Sequence, residues 1–432
     1  MTSWRSWGRL AASEPAAVSR PDCRDAALAL PPQRPVLPFG RGRSYGDVCL
    51  NSGGVLLHTA RLDRFIAFDR CTGVLRCESG VTLREILDLV VPQGWFLPVT
   101  PGTREVTVGG AIANDVHGKN HHAAGSFAHH LRGFELLRSS GERRVCGPDS
   151  NSEWFGATIG GLGLTGLVTW AELQLAPIAN PFMQVRTRRF PHLDAFWELN
   201  GAMERDWPYT VAWIDCVASG GARGRGVFMA ARHAAPQGRL PAWREKRRAM
   251  PLTPPFSLVN AASLRAFNQL YWLRAREGDA LTHHVPYFYP LDGVAHWNRI
   301  YGRRGFYQYQ CVVPPAVQRD AVAELLRRIS RSGQGSFLAV LKTFGTRPSL
   351  GLLSFARPGA TLALDFPNRG DATLRLFGEL DAVVREAGGA IYPAKDARMP
   401  GSMFELGYPR AGDFSRFVDP RFGSDFWRRV RA

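Results

Sequence analysis

"TVGGAIANDVHGKNHHAAGSFAHH" (107–130) carries four glycines, one lysine and five of the chain's eleven histidines. Its first half offers no long side chain to screen the main chain. Bare N–H groups there can come up against an extended anionic or heteroaromatic ligand, an approach that glycine alone permits. On that reading His117 and Lys119 stand at the ligand's reactive end. Two other readings stay open. His117 and His121 lie four apart, a zinc-ligand spacing on a helix, but Gly118 and Gly125 weaken a helix, no H-E-x-x-H is present and no cysteine is close by. A solvated histidine-rich loop has the same composition.

Upstream, "PVLPFGRGRSYGD" (35–47) predicts a short strand running into a glycine-rich loop. Successive backbone donors from Gly40 to Asp47, with Arg41 and Arg43 among them, would nest a pyrophosphate; a plain turn has the same look. "RFIAFDRCTGVLRCESG" (64–80) alternates as a hairpin turning at Thr72 and Gly73. In "TLREILDLVVPQG" (82–94), Thr82 and Glu85 form a capping box, and helical periodicity runs on to Pro92 and Gly94. Downstream, "FELLRSSGERRVCG" (134–147) predicts a second hairpin, "SEWFGATIG" (152–160) a short helix capped by Ser152, and "LVTWAELQLAPI" (167–178) a strand. Between the last two, "GLGLTG" (161–166) spells G-x-G-x-x-G, but with a helix before it and a strand after it. That order is the reverse of the dinucleotide fingerprint, so a nucleotide-binding βαβ unit is excluded.

From about 179 to 388 the pattern changes to strands with longer helices such as "AVQRDAVAELLRRISRSG" (316–333), interrupted by a basic, Pro-rich stretch at 232–256 that reads as exposed and mobile. "GGAIYPAKDARMP" (388–400) then returns to small and polar residues. The simplest organisation is α+β, with residues 1–178 and 389–432 forming one domain and 179–388 inserted as a second, built on an antiparallel sheet.

A 45% apolar fraction is ample for a packed core. The net charge of +17 is almost all arginine; the four lysines, Lys119, Lys246, Lys342 and Lys395, mark places where a compact amine is wanted. Basicity admits nucleic acid, an anionic membrane or a phosphorylated substrate, and equally a plain solvated surface. Seven cysteines with no C-x-x-C predict reduced thiols. No apolar run of membrane-spanning length and no secretory h-region is present, which predicts a cytoplasmic protein, at most peripherally attached to a membrane.

Taken together, "GRGRSYGD", "PGTREVTVGGAIANDVHGKNHHAAGSF", "WFGATIGGLGLTG", "FYPLD", "WNRIYG", "GFYQYQ", "LKTFG", "LDFP" and "YPAKDAR" resemble the flavin enzymes of the vanillyl-alcohol-oxidase type, most nearly those that oxidise polyprenyl-phosphoryl ribose. The resemblance runs almost end to end. It implies that FAD lies extended between two subdomains, on Gly40, Arg41, Gly42, Arg43, Ser44 and Tyr45, on the turn at Gly102 and Thr103, and on Gly109, Gly110, Ala113, Asn114, His117 and Gly118, with Tyr392 beside the ring. Some relatives tether flavin through a histidine where this chain has Arg43, so noncovalent FAD is expected. Lys395 and His117 are the implied catalytic pair. Lys119, Phe288, Gln308, Gln310, Lys342, Phe344, Thr361 and Ala363 are the implied substrate positions, with Phe288, Thr361 and Ala363 departing from the relatives' tyrosine, polar residue and cysteine. The activity implied is oxidation of the 2′-hydroxyl of a polyprenyl-phosphoryl ribose to a ketone, handed on to a separate reductase in cell-wall biosynthesis, with no metal and no nucleic acid. An aldonolactone or alditol oxidase is the alternative.

Overall fold

The computed structural model describes residues 4–432 except 11, 29, 32, 237 and 239. Three sheets carry the architecture. The first is small and parallel, with Val55–His58 between Ala17–Ser19 and Val36–Phe39. Its middle strand, Val-Leu-Leu-His, is apolar on both faces, as burial between two layers requires.

The second sheet has five antiparallel strands in the order Arg143–Cys146, Leu131–Leu137, Leu167–Gln174, Val74–Glu78, Phe65–Asp69. Both expected hairpins are in it. Leu83–Val90 is a helix that begins on the Thr82–Glu85 capping box, with both reciprocal hydrogen bonds made, and buries Leu83, Ile86, Leu87 and Val90. Ser152 does not cap its helix. It is the first helical residue, and Asn151, in a left-handed conformation (φ 48°), precedes it, its side-chain amide donating to the carbonyl of Val145. "GLGLTG" joins this helix to the strand Leu167–Gln174, so the helix-to-strand order holds.

The third sheet has eight strands, all antiparallel, in the order Gly278–His283, Phe182–Phe190, Gly226–His233, Tyr209–Ile214, Ala339–Phe344, Gly359–Pro367, Phe306–Val313, Ala390–Ile391. Alternation along the central strands separates two faces. Leu362, Leu364 and Phe366 of one strand share a core with Leu325 and Phe377 from the helices Gln318–Ser332 and Asp371–Glu386. Each such side chain contributes about 1.5–3 kcal/mol on burial. Thr361, Ala363 and Asp365 occupy the opposite face.

Ala390–Ile391 still belongs to this sheet, paired with Phe306–Val313. Beyond it the chain is stitched to the amino-terminal region. Arg429 binds the Asp47 carboxylate (2.8 Å to each oxygen) and Asp396, Asp425 accepts from Ser52, and Gly423 N–H donates to the Val36 carbonyl. The stretch 232–256 is exposed along most of its described length, as its composition suggests, and it is also tied down at three places. Residues 232–233 end a sheet strand, Arg248–Ala249 pairs with Val294–Ala295, and the Glu245 carboxylate is held by Arg84 and Arg104 from the amino-terminal region.

Candidate active site

A cavity of about 580 Å³ lies between the glycine-rich loops of residues 40–118 and the bare face of the eight-stranded sheet. That is the size of small-molecule and cofactor pockets. One wall is main chain. Gly40 through Tyr45, Gly102, Thr103, Gly109, Gly110, Ala113, Asn114, His117 and Gly118 all line it. A Cβ on Gly40 would come within 2.5 Å of Thr107 Oγ1, and one on Gly118 within 2.9 Å of the Thr100 carbonyl. Among the described residues, the N–H groups of Gly42, Arg43, Ser44, Gly102 and Thr103 have no protein acceptor. The turn 101–104 is held open by Asp292, which accepts from Thr103 Oγ1 (2.6 Å) and Arg104 N–H (2.9 Å).

The other wall is side chain. Gln308, Gln310, Lys342, Thr361 and Ala363 project from adjacent strands, with Phe288 and Lys119 closing one side and Tyr392 and Lys395 the other. Local packing explains how a residue this late in the chain reaches the loop 40–47. Tyr45 N–H donates to the Ala394 carbonyl (2.9 Å), and Gly46 lies so close to Asp396 that any Cβ would run into its carbonyl. This contact sets the Lys395 ammonium 3.9 Å from the centre of the Tyr45 ring. Of the four lysines, three line the cavity; Lys246 is exposed.

Burial lowers these amines. Lys395 falls to about 8, with Asp365 opposing the fall; Lys119 falls to about 7; Lys342 falls to about 7, with Lys119 and Lys395 adding to the effect of burial. Lys342 donates to the Gly118 carbonyl (2.6 Å) and Lys119 to that of Tyr287. His117 is driven well below the ordinary imidazole value by burial and by Lys342, His121 and Lys395, so it is neutral at neutral pH. Its Nε2 pairs with Gln310 Nε2 (3.1 Å), and its Nδ1 has no protein partner. With the amide donating, Nδ1 carries the proton; the opposite amide orientation reverses the tautomer.

Phe344 is not on the cavity wall. It lies behind, with His117 and His121 packed on it at 4.9 and 4.6 Å between ring centres, so it backs His117 instead of meeting a ligand. The other histidines of 115–130 are structural. His122, His129 and His130 each pair with a backbone carbonyl, and His121 Nδ1 accepts from Gly345 N–H. Among the described residues no cluster of three or more metal-ligating side chains exists.

The sequence reading missed Asp365. It is fully buried, accepts from Gln308 Nε2 at 2.6 Å through one oxygen and has no protein partner for the other. Burial pushes it up to about 7, against the pull of Gln308 and Lys395. Period-two spacing from Thr361 and Ala363 was the available signal, since residues two apart on a strand share a face.

Residues 25–147 match the model of the FAD-binding domain. The chain is similar to decaprenylphosphoryl-beta-D-ribose oxidase of Mycolicibacterium smegmatis, 36% identical over 98% of this chain and 96% of the relative. It is also 37% identical to an uncharacterized protein in the mprA 5′ region of Streptomyces coelicolor, over 81% of this chain and all of that one. Likeness to the Delta(24)-sterol reductase of Homo sapiens, 31%, is confined to 28% of this chain and 23% of the reductase. FAD fits the main-chain wall: the N–H donors of Gly42, Arg43, Ser44, Gly102 and Thr103 are open to a pyrophosphate, and Ser79, Arg43, Asn114 and His117 each keep a buried polar atom without a protein partner.

Proposed function

This chain belongs to the family of FAD-dependent oxidoreductases that contains decaprenylphosphoryl-beta-D-ribose oxidase, and on that premise we propose that it oxidises the 2′-hydroxyl of a polyprenyl-phosphoryl-β-D-ribose to a ketone. The observation that carries the reading is the extent of the likeness. It covers both walls of the cavity, including the sheet bearing Gln308, Gln310 and Lys342, whereas the sterol reductase shares little more than a quarter of the chain.

In this reading residues 1–178 and 389–432 form the FAD-binding domain and 179–388 the substrate domain. The loop 40–45, the turn at Gly102 and Thr103, and residues 109–118 hold FAD noncovalently, since Arg43 offers no nucleophile for a tether. Bound FAD supplies a two-electron acceptor for the C–H bond. Lys119 and Lys342 receive the sugar-phosphate, with Gln308 and Gln310 donating to the ribose. Phe288, Thr361 and Ala363 shape the remaining wall. Lys395 holds the reacting hydroxyl and balances negative charge developing at the ring.

His117 takes the hydroxyl proton at Nδ1, the nitrogen without a protein partner, in the tautomer whose Nε2–H donates to the Gln310 amide oxygen. The cations that keep the ring neutral make the imidazolium costly, so the proton, once taken from the hydroxyl, is passed on to solvent while the C–H electron pair goes to the flavin. The keto sugar goes to a separate reductase.

The test is spectral. Anaerobic titration of the yellow holoprotein with polyprenyl-phosphoryl ribose bleaches the flavin band, and aldonolactones and alditols leave it unchanged. Bleaching by the polyols alone would replace this substrate; a folded protein that takes up no FAD would remove the function altogether.

A further inference from the structure

Fifteen large apolar side chains stand exposed among the described residues, and eight of them fall within 243–273. Leu252 (74% exposed), Phe256 (70%) and Leu273 (53%) are the most open of the eight. The helix Ala261–Arg274 buries only Leu264 and Asn268 and turns Phe267, Leu270 and Leu273 outward. Scattered singly, such residues mean nothing; gathered in one stretch they mark an interaction surface.

The two segments of the stretch share one support. Arg248–Ala249 pairs with Val294–Ala295, Leu258 N–H donates to the Ile300 carbonyl, and Arg299 donates to the carbonyls of Met250 and Pro251. Beneath it, Val259, Leu264, Tyr301 and Phe306 share a small core with Tyr45 of the cavity wall. Arg247, Tyr271, Val294 and Trp297, from this surface or its edge, line the cavity itself. The apolar surface is therefore continuous with the cavity mouth.

Its charge selects the occupant. Residues 243–276 hold seven lysines and arginines against one acidic residue, Glu245, whose carboxylate is already engaged by Arg84, Arg104 and Arg247. A second copy of the same surface would meet it with the same sign. Apolar side chains fringed by arginine match the boundary of an anionic bilayer, where acyl chains and phosphates lie at successive depths. No helix among the described residues is long and apolar enough to cross a membrane.

We propose that residues 243–258 and the helix Ala261–Arg274 form a docking surface for an anionic lipid bilayer, from which a polyprenyl-phosphoryl substrate passes into the cavity between Tyr271 and Trp297. Docking stands on this surface alone; the substrate's route rests on the function proposed above. The bilayer keeps the prenyl chain in an apolar medium while the sugar-phosphate reaches Lys119 and Lys342.

The experiment is flotation of the full-length, FAD-loaded protein on vesicles of phosphatidylcholine alone or of phosphatidylcholine and phosphatidylglycerol in equal parts. The wild-type protein floats with the anionic vesicles and remains below with the neutral ones. L252E/F256E/L273E keeps its flavin spectrum and loses vesicle affinity by about tenfold or more. R265Q/R274Q/R276Q, which leaves the apolar side chains in place, loses about fivefold for each arginine that meets the lipid. Equal flotation of both variants and the wild-type protein overturns the proposal, as does a wild-type protein that ignores anionic vesicles. A dimer that L252E/F256E/L273E splits, with no vesicle binding by either form, assigns the surface to a second copy and also overturns it. Flotation requires no turnover, so a protein that floats but leaves polyprenyl-phosphoryl ribose untouched supports the surface and overturns the functional reading.

Discussion

The two walls of the cavity solve opposite problems. The amino-terminal wall removes side chains: glycines and small residues leave main-chain donors bare, and the shape is fixed by neighbours such as Thr107 and Asp292. The sheet wall adds side chains, and expensive ones, with amines and a carboxylate taken out of water and their affinities for protons displaced by burial. A wall of donors binds a group of known shape. A wall of buried charges, each held off its ordinary proton affinity, favours charge that appears only during reaction. The first wall should therefore govern cofactor retention and the second turnover.

The largest expected effect tests that division on the sheet side. Lys395→Met keeps the length and apolar stem of the lysine and deletes its ammonium, which stands over Tyr45. Turnover falls about 10²–10³-fold, the size of losing one preorganised electrostatic partner, while the flavin content of the purified protein is unchanged. Stopped-flow bleaching measures the first quantity and absorbance the second. Near-wild-type bleaching, or a colourless variant, would break the contrast between the walls. On the other side, Gly40→Val drives side-chain atoms into Thr107, whose hydroxyl caps the helix Val108–Ala113. Overpacking of this kind costs about 1–3 kcal/mol. FAD affinity drops by about ten- to a hundredfold in a fluorescence titration, and the fraction of protein that does hold FAD turns over at the normal rate.

How legible each wall was follows from the same contrast. The main-chain wall is built from three short runs, each contiguous, so their small residues announce them locally, as do the capping box at Thr82 and the reversed order around "GLGLTG". The sheet wall draws Gln308, Lys342, Asp365 and Lys395 from separate strands and a late turn, and no local pattern says that they meet. Resemblance supplied most of them, and scarcity pointed to the lysines. Phe344 shows the limit of that route: "LKTFG" marks a site neighbourhood, yet Phe344 meets the ring of His117 from behind while Lys342, two residues earlier, reaches the cavity. Ser152 failed for a local reason, because Asn151 tolerates the left-handed conformation that ends the preceding turn and displaces the serine into the helix. The anchoring of 232–256 escaped notice because Glu245 finds its arginines about 140 and 160 residues away.

The smallest expected effect concerns the carboxylate that the resemblance did not assign. Asp365→Asn keeps an acceptor for Gln308 and removes only the charge. The direction follows from linkage. Burial pulls Lys395 down to about 8, and Asp365 is the one group opposing that pull, so deleting its charge lets the amine fall further. Activity that requires the ammonium is present below the amine's pKa and is lost as pH rises through it. The falling limb of the kcat profile, set near 8 in the wild-type protein by that amine, therefore moves to lower pH. At pH 6 the variant turns over within a few-fold of the wild-type rate, while at pH 8 it lags. Cofactor affinity, which belongs to the other wall, stays fixed throughout. A limb that stays in place would show that Asp365 serves only to orient Gln308. A limb that moves upward would mean that the titrating group is not the amine, and that the sheet wall works by a charge other than that of Lys395.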